Sequence, residues 1–306
     1  MADRISGLGD YILSKRPDLE LRLRPLEAMS VADAEWAEAF IGFRRPPFES
    51  WGNIRWVHSV GAGVDGLTFR QLMPAHILLT KSSEDFGPAI GEWCIAHALA
   101  ASQNLALLWE DQRHRRWEGR NATREPRMLR GERVLIAGTG AVGRGIARAF
   151  GGVGCPAVGL SRSGEAVPGF ERVSPLAAFA DEVKQARWLV LALPLTVETH
   201  HFFGRERLRE CGGVYLMNAG RGAVVDEVAL LEALELGWIR GAALDVFEVE
   251  PLPETSPLWR RHDVIISPHI SGPSTVPATA EGFLDCLAAL EKGERPRWAV
   301  EAGRGY

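Results

Sequence analysis

From residue 131 onward, short runs of consecutive apolar residues alternate with longer stretches in which apolar positions recur every three or four residues. The runs are ERVLIA (132–137), PAVGL (156–160), WLVLAL (188–193), GVYLMN (213–218), GAALDVF (241–247) and DVIIS (263–267). A strand that is apolar at successive positions is buried on both faces, as in a parallel sheet covered by helices on either side. Helices are predicted between the runs: from about residue 142, after SPLAAFADEV (174–183), and over DEVALLEALELG (226–237). The last is well punctuated, with Asp226 placed as its N-cap and Gly237 as the left-handed residue that ends it. The expected fold class is α/β, built on a doubly wound parallel sheet.

The pattern differs before about residue 95. Candidate strands ELRLRP (20–25), AFIGF (39–43), RWVHSV (55–60) and HILLT (76–80) alternate with short helical or loop stretches, as in a smaller α/β unit. A long apolar helix is predicted from GPAIGEWCIAHALAASQNLALLWEDQ (87–112), followed by the basic turn RHRRWEGRN. Its arginines Arg113, Arg115, Arg116 and Arg120 are expected on a solvated face or connector. After Pro273 the chain is too short for another domain, and ATAEGFLDCLAALEKGE (278–294) is expected to return to the N-terminal unit. The predicted organisation is 1–95 as a smaller lid unit, 96–272 as the parallel-sheet domain inserted in it, and 273–306 as the return to the lid.

Composition removes several functions. The 306 residues are 46% apolar and 24% charged, with a net charge of −4, so no basic field is available for nucleic acid. The apolar runs are too short to span a bilayer, and MADRISGLGDYILSKRPD lacks the layout of a secretory signal. A soluble, cytoplasmic protein is expected. Cys94, Cys155, Cys211 and Cys286 show no Cys-x-x-Cys spacing, so they are expected as buried apolar residues, without disulfide or metal.

Ligands of open parallel sheets bind beyond the carboxyl ends of the strands, where the chemistry is to be sought. The first run is followed by Gly138-Thr139-Gly140-Ala141-Val142-Gly143, a G-x-G-x-x-G. Gly138 permits a tight turn, Gly140 lets backbone approach a diphosphate, and Gly143 lets the helix pack closely on the strand. The second run ends in Ser161-Arg162-Ser163, eighteen residues after Gly143, near where an acid normally holds the ribose hydroxyls. An acid would repel a 2′-phosphate, whereas Arg162 offers a guanidinium to it, so NADP(H) is the expected cofactor, with NAD(H) possible. The alternative is a surface arginine in a loop. Later strand ends carry Leu193-Pro194, NAGRG (218–222), Asp245, Glu250-Pro251 and His269. Taken singly, each has an ordinary structural reading: a turn cap for Asp245, a surface ion pair for Arg221, a structural histidine for His269. Their joint placement on one rim is what singles them out.

In this order, GTGAVG, SRS, LPLTVET, NAGRGAVVDE, ALDVFEVEPLP and SPHISG resemble the D-isomer-specific 2-hydroxyacid dehydrogenases, particularly the NADPH-dependent glyoxylate/hydroxypyruvate reductases, over nearly all of residues 55–272. The resemblance implies a Rossmann nucleotide domain inserted in a flavodoxin-like lid, and a homodimer formed through the nucleotide domains. By it, Arg221 binds the substrate's carboxylate and keto oxygen, His269 is the proton donor and acceptor, and Glu250 pairs with His269. Asp245 holds the nicotinamide carboxamide, Ala219 and Gly272 join the cofactor contacts, and the backbone of Ala62 and Gly63 meets the substrate carboxylate. Glu250 stands where formate dehydrogenases of the superfamily have Gln. Two segments differ from the pattern: the first lid strand is short or missing in MADRIS, and GFRRPPFESW (42–51), where part of the substrate wall is expected, varies among members.

The expected activity is reduction of a small 2-oxo acid to the D-2-hydroxy acid, with the lid closing on hinges near residues 95 and 273. The alternatives are an NAD-dependent biosynthetic dehydrogenase, a non-catalytic NAD(P)-binding interaction protein, and a methyltransferase on a related sheet. The last has no use for Arg, Glu and His at later strand ends.

Overall fold

The computed structural model describes residues 7–71, 73–82, 84–117 and 125–301. The chain forms two compact units, one from residues up to Glu84 together with those from Ser274, the other from Asp85–Pro273.

The smaller unit holds a parallel sheet of β1 (Ala39–Gly42), β2 (Trp56–Ser59) and β3 (Leu78–Lys81), with β2 in the middle. One face is filled by Val57, Leu67, Leu79 and Trp51. The other is covered by the helices Leu8–Lys15 and Val276–Glu291, where the ring of Trp56 stacks on Phe283 at 4.7 Å. The C-terminal segment belongs to this unit: beyond the helix, Val300 N–H donates to the carbonyl of Leu79 at 2.8 Å. The strand predicted at ELRLRP is absent. Leu19 and Leu21 pack on the helical face, but residues 20–25 pair with no strand, and Leu23 is exposed. The expected loss of a first strand in MADRIS falls on residues 1–6, outside the described residues.

The larger unit carries β4 (Val134–Ala137), β5 (Ala157–Ser161), β6 (Arg172–Pro175), β7 (Trp188–Leu191), β8 (Val214–Asn218), β9 (Ile239–Leu244) and β10 (Val264–Ile266). All pair in parallel, in the order β10-β9-β8-β7-β4-β5-β6. Every residue of β4, β7 and β8 is buried, as the unbroken apolar runs require. Leu135, Leu189, Leu216, Phe203 and Leu230 form the core on one side, and Ile136, Trp188, Met217, Phe150 and Cys94 that on the other. The chain builds β5 and β6 on one side of β4 and then returns to β7 on the other. The strand order therefore reverses between β4 and β7, and their carboxyl ends flank the crevice where such sheets bind ligands.

Residue 95, where the domain boundary and a hinge were expected, lies inside the helix Gly87–Ser102. This helix crosses the helix Ala141–Gly152 so closely that a Cβ on Gly145 would come within 2.3 Å of the backbone of Gly87. That approach makes the whole helix part of the larger unit, and the chain passes between units at 84/85 and 273/274 instead. The long helix predicted over 87–112 is two, Gly87–Ser102 and Leu105–Arg113, broken at Asn104 with φ 54°. Among the arginines that follow, Arg116 pairs with Asp111 at 3.0 Å, and Arg120 lies outside the described residues. All four cysteines are buried, and burial pushes the thiols of Cys94, Cys155 and Cys211 above their ordinary range. No helix among the described residues is long and apolar enough to cross a membrane.

Candidate active site

The glycine loop follows β4. Gly138 adopts φ 109°, and a Cβ on Gly143 would lie 1.9 Å from the carbonyl oxygen of Gly138. Only glycine permits that closure of helix onto strand. The helix Ala141–Gly152 then starts at Gly140 with no side chain capping its first N–H groups, and a Cβ on Gly140 would meet nothing within 4 Å. An uncapped helix start reached by an open glycine suits a diphosphate, so the loop Gly138–Gly143, including Thr139, Ala141 and Val142, fits a dinucleotide.

At the end of β5, Ser161 and Ser163 shape the turn. Their hydroxyls accept the N–H groups of Gly164 at 3.0 Å and Glu165 at 3.3 Å. Arg162 is exposed between them. Glu198 is held below the ordinary carboxylate range chiefly by its hydrogen bond from Thr196, with Arg162 adding a weaker attraction. Beyond β7, Leu193 is buried and the carbonyl of Pro194 accepts the hydroxyl of Thr199 at 2.6 Å, which ties off the loop on that side of the crevice.

The NAGRG turn leaves β8 through Asn218, which is buried. Its amide donates to the carbonyl of Arg221 at 3.1 Å and accepts from Gly220 N–H at 3.1 Å, fixing the turn from inside. Ala219 is buried beneath it. Arg221 Nη1 donates to the carbonyl of Gly220 at 2.8 Å. The next residue must be glycine, because a Cβ on Gly222 would fall 1.9 Å from the carbonyl carbon of Phe247. The Arg221 turn and the Phe247–Glu250 loop are thereby pressed together.

Asp245, just past β9, is fully buried. Its Oδ1 accepts the Ser267 hydroxyl at 2.5 Å and Ile270 N–H at 2.9 Å, and its Oδ2 accepts Ser271 N–H at 2.9 Å. Its carbonyl also accepts His269 N–H at 2.8 Å. These bonds hold the loop after β10 in a shape that sets His269 at φ 54°, an uncommon conformation for a non-glycine residue. The resemblance implies that Asp245 holds the nicotinamide carboxamide; its carboxylate also anchors the loop that carries His269, whose donors lie at the end of the adjacent strand. The His269 ring is held through Nδ1, 2.8 Å from Glu250 Oε2, while Glu250 Oε1 accepts Phe247 N–H at 3.1 Å. Burial alone pushes the Glu250 carboxyl up. The hydrogen bond and charge of His269, the Phe247 N–H and the nearby Arg221 outweigh it and hold that carboxyl below its ordinary range. Arg221, Glu250 and His269, which arise on three strand ends, thus form one electrostatic cluster. Among the described residues, no group of three His, Cys, Asp or Glu side chains is placed to hold a metal ion.

The model of the "D-isomer specific 2-hydroxyacid dehydrogenase, NAD binding domain" matches residues 95–271. The chain belongs to the D-isomer-specific 2-hydroxyacid dehydrogenases. Among its relatives in this family, glyoxylate/hydroxypyruvate reductase A of Salmonella paratyphi B is 32% identical over 282 residues, covering 86% of each protein. A D-isomer-specific 2-hydroxyacid dehydrogenase of Xanthobacter autotrophicus Py2, solved with NADPH and MES, superposes with a TM-score of 0.85 at 30% identity, covering 99% of this chain and 96% of that one. The NADPH-dependent glyoxylate/hydroxypyruvate reductase of Sinorhizobium meliloti, solved with NADP and sulfate, gives a TM-score of 0.74 at 27% identity, covering 83% and 81%.

Some residues that shape the site of this dehydrogenase escaped the sequence. Asn218 stood inside the NAGRG motif and Ser267 inside SPHISG, so both could have been found there. Trp93, whose indole N–H donates to the Ser267 hydroxyl at 3.2 Å, gave no signal. Glu227 and Glu248 clasp one another: Glu248 N–H donates to Glu227 Oε1 at 2.7 Å and Glu227 N–H to Glu248 Oε1 at 3.0 Å. Gly272 packs in the same unit against Phe86 and Ile90. Ala62 and Gly63 belong to the smaller unit, where the Ser59 hydroxyl donates to the carbonyl of Gly63 at 2.7 Å.

Proposed function

We propose that this NAD(P)-dependent D-2-hydroxyacid dehydrogenase reduces small 2-oxo acids of the glyoxylate/hydroxypyruvate class, with NADPH preferred. The observation that carries the reading is the His269–Glu250 pair at 2.8 Å with the charge of Arg221 beside it. The relatives named for glyoxylate and hydroxypyruvate, and those solved with NADPH or NADP, support the same substrate and cofactor.

The cofactor would lie along Gly138–Gly143, with its 2′-phosphate at Ser161-Arg162-Ser163 and its remaining contacts from Leu193, Pro194, Ala219, Asp245 and Gly272. When bound, it supplies the hydride. The chain's own residues do the rest. Arg221 holds the carboxylate and the keto oxygen, and its fixed positive charge opposes the negative charge that grows on that oxygen. His269 donates the proton to the same oxygen from the ring nitrogen not held by Glu250. The Glu250 carboxylate, 2.8 Å from Nδ1, fixes the orientation of the ring. Ala62 and Gly63 offer backbone N–H groups to the substrate carboxylate.

A screen of 2-oxo acids with NADPH and NADH, followed at the nicotinamide absorbance, tests this. Turnover of glyoxylate and hydroxypyruvate, faster with NADPH, is expected. Arg162→Ala should weaken NADPH about ten- to a hundredfold and leave NADH nearly unchanged, since a hydrogen bond to a charged group contributes roughly 1.5–3 kcal/mol. Equal loss for both cofactors would make Arg162 a surface residue. The enzyme is further proposed to be a homodimer through the larger unit, supported by the exposed apolar residues Leu108, Trp109 and Trp117. A monomeric mass by light scattering would overturn that.

A further inference from the structure

The carboxyl ends of the smaller sheet carry charge that the reading above does not use. Gly42, Ser59 and Lys81 are register partners, so they form one row across β1, β2 and β3. The middle strand continues into the loop Gly61–Gly63, to which the substrate carboxylate is assigned. Both neighbours close on that loop. From the β1 side the ring of Phe43 lies against Gly61, where a Cβ would come within 2.6 Å of it. From the β3 side Ser82 N–H donates to the carbonyl of Gly61 at 3.2 Å.

Side chains alternate along a strand, which decides where Lys81 emerges. Val57 and Leu79 face the same core, so Ser59 and Lys81, two residues further on, share that face. The Ser59 hydroxyl reaches the carbonyl of Gly63 from that face, at 2.7 Å. Lys81 therefore leaves the sheet on the side over which the loop is folded. It is half-buried, and its ammonium makes no ion pair or hydrogen bond to any described residue. Burial pushes its pKa below the ordinary lysine range with no neighbouring carboxylate to offset it. Arg44, just past β1, is a second cation without an ion pair among the described residues, and it is exposed. A partly desolvated ammonium without a counter-ion costs stability, and such groups are retained where a ligand supplies the missing charge.

We infer that Lys81, with Arg44 on the other flank of the loop, forms a second anion subsite that selects 2-oxo acids carrying a second carboxylate. The inference rests on the assignment of the chain as a 2-oxo acid reductase. On that assignment the loop N–H groups take the first carboxylate, which leaves Lys81, on the face over which the loop is folded, for another anionic group. The ammonium and a distal carboxylate form a charge-assisted hydrogen bond, sensitive to ionic strength because the site is only half-buried.

The test compares oxaloacetate with 2-oxobutyrate, which are of similar length and differ in the terminal charge. Steady-state kcat/KM with NADPH is measured for wild type, Lys81→Met and Lys81→Arg. Wild type should favour oxaloacetate at least tenfold, and added salt should narrow the gap. Lys81→Met should lose at least tenfold more on oxaloacetate than on 2-oxobutyrate, and Lys81→Arg should keep most of the preference. The wild-type comparison needs no variant to fold. No preference in wild type, or equal losses on both substrates in Lys81→Met, overturns the subsite while leaving the reductase reading in place. Failure of wild type to reduce any 2-oxo acid overturns that reading, and the subsite with it.

Discussion

In the proposed mechanism Arg221 supplies a fixed charge and Glu250 holds the His269 ring, and the two roles respond differently to substitution. On that proposal Arg221 faces charge that develops during the reaction, so Arg221→Ala should lower kcat/KM by roughly a hundredfold or more, about 3 kcal/mol, with NADPH affinity nearly unchanged. Arg221→Lys should recover only part, because a point charge does not reproduce a planar fork. Near wild-type turnover in Arg221→Ala would show that the substrate binds elsewhere. In the same proposal Glu250 acts by holding the His269 ring through Nδ1 at 2.8 Å. Glu250→Gln keeps the shape but replaces the carboxylate with an amide, and kcat/KM should fall at least about tenfold with NADPH affinity nearly unchanged. Unchanged turnover in Glu250→Gln would separate that carboxylate from the reaction.

At the scale of elements, the site is an agreement between strand ends, and Ser267 is where it is most exposed to damage. Its hydroxyl donates to Asp245 and accepts from Trp93, joining the end of β10 to the end of β9 and to the helix Gly87–Ser102. Ser267→Ala leaves a half-buried indole N–H without this partner and takes one donor from a buried carboxylate. The larger unit should lose about 1–3 kcal/mol in urea unfolding, and kcat/KM should fall roughly tenfold as the His269 loop loosens. Unchanged unfolding and unchanged turnover would remove Ser267 from that role. The same geometry explains what could be read from the sequence. Arg221, Glu250 and His269 were legible because each sits in a short motif directly after an apolar run, where a parallel sheet gathers its chemistry. Trp93 was not, because its partner is 174 residues away and nothing local marks it. β6 was missed because Arg172 and Ser174 are polar residues of an edge strand, turned to Glu182 rather than to a core. ELRLRP misled for the opposite reason: its alternation has a strand's period, but a strand also needs a neighbour with which to pair.

For the molecule as a whole, the smaller unit carries a buried group that should make it respond to acid. His58 on β2 is fully buried, with Nδ1 2.8 Å from the Thr80 hydroxyl oxygen that also accepts the Trp56 indole N–H. Burial pushes its pKa down from 6.5 to about 4. A histidine depressed in the folded state is neutral there and protonated more readily once unfolded. Its contribution is complete above the unfolded value and is lost as pH falls through the folded one. Stability of this unit should therefore decline between about pH 6.5 and 4, by up to about 3 kcal/mol. Hydrogen exchange of β2 and β3 amides across that range checks it, and His58→Asn should flatten the dependence even where it lowers stability throughout. An unchanged slope in His58→Asn would assign the acid response to other groups.

The smaller unit is also discontinuous, and the ribosome meets that fact as a matter of timing. Its three strands are made first, yet Phe283, on which Trp56 stacks, and Val300, which bonds to Leu79, are made only after residues 85–273. The larger unit is continuous and has all its partners once Pro273 has emerged. The smaller one must hold its early strands unfinished through the synthesis of everything between, and its core closes only with the final helix and the segment beyond it.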